Sequence, residues 1–85
     1  MKEFSYTLKD AAGIHARPAG ELVKLVKTYS SKVTICKGEK SGVASKIFAV
    51  MGLGAKQGET VTFKIEGDDE EKAAVELEKF MNENL

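Results

Sequence analysis

Val61, Phe63 and Ile65 alternate with Thr62, Lys64 and Glu66. An apolar–polar period of two across residues 60–66 calls for a strand that buries one face and wets the other. Phe4, Tyr6 and Leu8 repeat the pattern against Ser5, Thr7 and Lys9. Two such strands commit the chain to a sheet with one covered face, and the remaining segments must supply the cover.

Two helical stripes are available. Ala16, Ala19, Leu22, Val23 and Val26 recur at a three–four spacing, which predicts a helix over residues 16–29 with Leu25 partly exposed. Ala73, Ala74, Leu77, Phe80 and Met81 form a second stripe. Asp68 and Glu71 before it have the spacing of a capping box. Between them, residues 33–36 and 40–43 read as strands joined at Gly38-Glu39, a glycine-first hairpin turn. Gly42 weakens the second of these and suits a sheet edge. Residues 45–51 read as a short helix with Ser45 as its N-cap. The order is βαββαβα in one domain spanning residues 1–85, an α+β two-layer fold with an open sheet face.

The chain has 85 residues and equal numbers, 13 each, of basic and acidic side chains. Zero formal charge gives no bulk attraction to nucleic acid or to an anionic membrane. No apolar run approaches a membrane span and no leader segment precedes the first strand, so a cytoplasmic protein is expected. Cys36 is the single cysteine. It has no disulfide partner and reads as a half-buried small hydrophobe in a reducing compartment. No spacing of metal ligands is present, and no cofactor is expected.

The chemistry gathers in Gly13-Ile14-His15-Ala16-Arg17-Pro18-Ala19-Gly20, which holds the chain's one histidine, one arginine and one proline. A helix start offers unpaired backbone N–H groups and a positive dipole end to an anion. Pro18 is tolerated in the first turn, where its missing N–H costs nothing. A neutral His15 ring has a lone pair free for nucleophilic attack. A phosphoryl group on that ring would face the amides of Ala16 and Arg17, with the Arg17 guanidinium as a charge-assisted donor. Gly13 lets the preceding loop take an unusual dihedral angle. Gly20, costly inside a helix, points to close packing against another backbone. No acid–base pair or nucleotide loop accompanies the histidine, so the site carries phosphate rather than completing a kinase or phosphatase reaction. Lys24 and Lys27, further along the same helix, fit a solvated face or an acidic partner equally well.

The Gly13 to Ala19 motif resembles the active site of the HPr family, the histidine-containing phosphocarriers of the bacterial phosphoenolpyruvate-dependent sugar phosphotransferase system. The resemblance runs over the whole chain and includes Val50-Met51-Gly52-Leu53-Gly54, with Gly58 beyond. It implies an open-faced sandwich with a four-stranded antiparallel sheet in the order 1-4-2-3. It implies a stoichiometric carrier, not an enzyme, that takes phosphate from enzyme I on the δ1 nitrogen of His15 and passes it to the A components of enzymes II. Arg17 would stabilise the group in transit. The short second helix would dock these partners through Ile47, Phe48, Met51 and Leu53. A one-to-two-turn helix cannot bury every apolar residue in that stretch, which agrees with an exposed patch. A monomer is expected for a carrier that shows one face to several partners in turn.

Two positions depart from the family pattern. Many members place a regulatory serine directly before the residue matching Ile47; here Lys46 stands there and the serine is Ser45. One helical step turns a side chain by about 100°, so serine regulation is not carried over. Gly20 replaces a slightly larger small residue. The alternative is a regulatory paralogue, whose phosphorylated His15 reports to a transcriptional or metabolic partner.

Overall fold

A computed structural model describes residues 1–85. The elements are β1 (Lys2–Thr7), α1 (Ala16–Val26), β2 (Lys32–Lys37), β3 (Lys40–Val43), α2 (Ile47–Met51), β4 (Thr60–Glu66) and α3 (Glu70–Asn84). The strands form one sheet in the order β1-β4-β2-β3, antiparallel throughout. This is the βαββαβα open-faced arrangement expected from the sequence.

The period-two pattern sets the layers. Val61, Phe63 and Ile65 of β4 and Val33 and Ile35 of β2 are buried in one core with Leu22, Leu77 and Met81 of the helices. Phe4 and Phe63 are cross-strand partners whose rings stack with centroids 4.9 Å apart. On the opposite face, Ser5 and Thr7 pair their hydroxyls with Thr62 and Thr60, each at 2.9 Å. That face stays in solvent, so the histidine must be sought on the helical layer or at its ends. The Gly38-Glu39 turn has Gly38 at φ 59°, the sign that a glycine-first hairpin needs.

Four local expectations are corrected. First, α1 ends at Val26; Thr28 and Tyr29 turn back on the carbonyls of Leu25 and Val26, three residues behind. Ala16 is exposed and Pro18 takes its place on the buried stripe, while Leu25 is partly exposed as expected, at the core's edge. Second, the N-cap of α3 is Asp69, and no capping box forms. The Asp69 carboxylate instead accepts the Ser30 and Ser31 amides, each at 2.9 Å, and the Ser31 hydroxyl. It thereby ties the end of α1 to the start of α3.

Third, Lys46, not Ser45, is the N-cap of α2; Ala44 and Ser45 form a turn before it. Fourth, Gly20 meets no foreign backbone. A β-carbon there would lie 3.8 Å from the Ile47 Cδ1, an ordinary contact.

Candidate functional site

His15 has extended backbone (φ −111°, ψ −177°) and is the N-cap of α1. Its carbonyl accepts the Ala19 amide at 3.0 Å and opens the helix ladder. Pro18 has no N–H, so Ala16 and Arg17 carry the free amides of the first turn. They adjoin the half-exposed His15 ring. The Arg17 side chain is exposed and takes no part in the chain's three ion pairs. An anion held on the ring therefore has two backbone donors and one uncommitted guanidinium close by in the chain.

Two anchors fix this turn. Ile14 and Pro18, on either side, are buried. The second anchor is backbone. Ile14 donates its amide to the Ala55 carbonyl at 3.1 Å. Gly13, at φ 66°, passes so close that a β-carbon would lie 2.3 Å from the Ala55 oxygen and 2.8 Å from the Lys56 Cα. Only glycine meets both demands. Upstream, Asp10 accepts the Ala12 amide on its side chain at 2.8 Å and the Gly13 amide on its backbone at 2.9 Å, a tight Asx turn. Ala55 is the contributor that sequence reasoning missed. Its role is carried by a carbonyl, and the one sequence signal for it is Gly13 itself.

Residues 47–53 divide sharply. Phe48 is 86% exposed and Met51 38%, while Ile47 is half-buried against the core. Leu53 is 2% exposed and belongs to the core, as does Val50 at 0%. The assignment of Leu53 to a docking surface is therefore wrong. The chain turns after Met51, and Leu53 follows Val50 inward, its amide bonded to the Val50 carbonyl at 3.3 Å. α2 packs against α1, so the apolar side chains that remain outside are Phe48 and Met51, on the neighbour of the helix that His15 begins.

The family described as the PTS HPr component phosphorylation site matches residues 2–83. The chain belongs to the HPr family. The phosphocarrier protein HPr of Lysinibacillus sphaericus is 39% identical over 83 residues, covering 98% of this chain and 94% of that one. A histidine-containing phosphocarrier protein of Mycoplasma superposes with a TM-score of 0.93 at 34% identity, over 96% of this chain and 93% of the other. HPr-C-His from Thermoanaerobacter tengcongensis gives 0.91 at 38% identity, over 96% and 92%. As an HPr-family member, the protein is a phosphocarrier of the phosphotransferase system.

Proposed function

We propose that His15 is the phosphoryl acceptor and that phosphorylated enzyme I is the donor. The Nδ1 lone pair attacks phosphorus, the donor's bond to phosphorus breaks, and its electron pair returns to the donor. Nε2 keeps its proton, so the attack needs the tautomer protonated there. The amides of Ala16 and Arg17 and the Arg17 guanidinium then hold the phosphoryl oxygens. The A component of an enzyme II takes the group in the reverse geometry, and the carrier is regenerated. Phe48 and Met51, with the edge of Ile47, form the surface on which both partners dock.

The observation that carries this reading is the position of His15. It is the residue immediately before the free amides of α1, beside an arginine with no internal partner. A ring nitrogen next to free helix amides supports a nucleophile with an anion site beside it, and no second catalytic group is required. Incubation with phosphoenolpyruvate and enzyme I adds one acid-labile, base-stable phosphate to the protein and none to His15→Ala. An unchanged mass for the unsubstituted protein overturns the proposal.

Regulation by a serine kinase is not part of this reading. Lys46 stands in the N-cap position, and Ser45 is half-buried in the preceding turn. Incubation with ATP and an HPr-type serine kinase leaves Ser45 unmodified. Stoichiometric modification mapped to Ser45 refutes this.

A further inference from the structure

The loop between α2 and β4, residues 52–59, is sewn to the segment leading to His15. Leu8 donates its amide to the Glu59 carbonyl and accepts the Gly58 amide, both at 2.9 Å. The Gln57 side chain donates to the Lys9 carbonyl at 3.1 Å. Ala55 takes the Ile14 amide one residue before the histidine. Whatever fixes Ala55 therefore fixes the backbone that aims His15.

One charged pair occupies that place. The Glu59 carboxylate accepts the Lys56 amide at 2.8 Å, and that amide shares one peptide plane with the Ala55 carbonyl. The same carboxylate accepts the Lys37 ammonium at 3.3 Å and 3.4 Å on its two oxygens. Lys37 also donates to the Gly54 carbonyl at 3.3 Å, just past the end of α2. The Lys56 amide, aided by Lys37, holds the Glu59 carboxyl below the usual carboxylate range. Lys37 thus bridges the segment just past α2 and the carboxylate that holds the Ala55–Lys56 peptide. Neither residue lies in the Gly13 to Gly20 motif.

We propose that Lys37 and Glu59 are positioning residues for phosphoryl transfer at His15. They act through the Lys56 amide and the Ala55 carbonyl on Gly13 and Ile14. The inference rests on the phosphocarrier reading above. As an isolated surface ion pair, Lys37–Glu59 would contribute little to stability. Its effect is on placement, and small misplacements of a reacting atom cost rate steeply.

The test uses Glu59→Ala, Glu59→Gln and Lys37→Met as acceptors for phosphorylated enzyme I, with kcat and KM measured separately. Glu59→Ala lowers kcat about 3- to 10-fold and leaves KM unchanged, because the Phe48 surface is intact. Glu59→Gln keeps an acceptor for the Lys56 amide and recovers part of the loss. Lys37→Met falls between the unsubstituted protein and Glu59→Ala. Hydrogen exchange of the Ile14 amide rises in Glu59→Ala while that of Phe63 stays slow.

Three results overturn the proposal: an unchanged kcat in folded Glu59→Ala, a loss confined to KM, or exchange raised equally throughout the core. Should Glu59→Ala not fold, the kcat and Ile14 exchange of Glu59→Gln decide. Failure of the phosphocarrier reading looks different, since the unsubstituted protein then takes up no phosphate at all.

Discussion

Phe48 and Val50 stand two residues apart on one five-residue helix, the first 86% exposed and the second completely buried. About 100° per residue turns them to nearly opposite sides. α2 thus buries Val50 in the core and leaves Phe48 in solvent.

The pair predicts separable effects. Val50→Ala opens a cavity in the core and lowers stability by about 1–3 kcal/mol in urea unfolding. Phe48→Ala shifts stability by less than about 0.5 kcal/mol. It raises the KM for transfer from enzyme I about tenfold, as loss of an exposed aromatic anchor does. A Phe48→Ala protein with an unchanged KM removes Phe48 from the docking surface.

Gly13 tests the backbone anchor. Gly13→Ala places a methyl group where the Ala55 oxygen is 2.3 Å away, at a φ of 66°. Stability falls by roughly 2–3 kcal/mol, and phosphorylation of His15 slows because the loop must retreat. Thermal unfolding and the enzyme I assay measure the two effects. Gly13→Ala with native stability would show that the loop yields freely.

Gly20 predicts the opposite sign. A β-carbon there meets the Ile47 side chain at an ordinary 3.8 Å, and its backbone is helical. Gly20→Ala therefore stabilises the protein by about 0.5–1 kcal/mol through the cost of an unfolded glycine. A lowered unfolding midpoint would mean that the contact with Ile47 is tighter than its distance implies.

Asp69 predicts an acid dependence. The Ser31 hydroxyl first, and then the Ser30 amide, hold its carboxyl below the ordinary aspartate value of 3.8. A lowered folded-state value means stability that is complete above pH 3.8 and lost as pH falls through the folded value. Asp69→Asn is therefore less stable than the unsubstituted protein at neutral pH, and the two converge in acid. Urea unfolding across pH 2–7 measures the gap; a gap independent of pH refutes the assignment.

Alternation made the sheet legible, because a half-buried strand has no other way to be written. The His15 turn was legible because proline, arginine and histidine rarely coincide at a helix start by accident of packing. Leu53 was not. Chain direction after a five-residue helix depends on where the helix stops, and Gly52 and Gly54 permit several exits. Asp69 was missed for a similar reason: Asp68 and Asp69 are chemically equal, and only the approach of Ser30 and Ser31, from 39 and 38 residues away, selects one. Lys37 and Glu59 are 22 residues apart and carry no local pattern that would pair them.

β1 has a single neighbour in the sheet, and that neighbour is β4. The carbonyl that steadies Ile14 likewise comes from residue 55. A nascent chain therefore exposes the His15 motif long before it can hold the motif in working geometry. Such distant pairings form slowly, since a long loop must close before any contact repays it. The backbone leading into His15 is thus held in place only once residues 55–66 have folded against it.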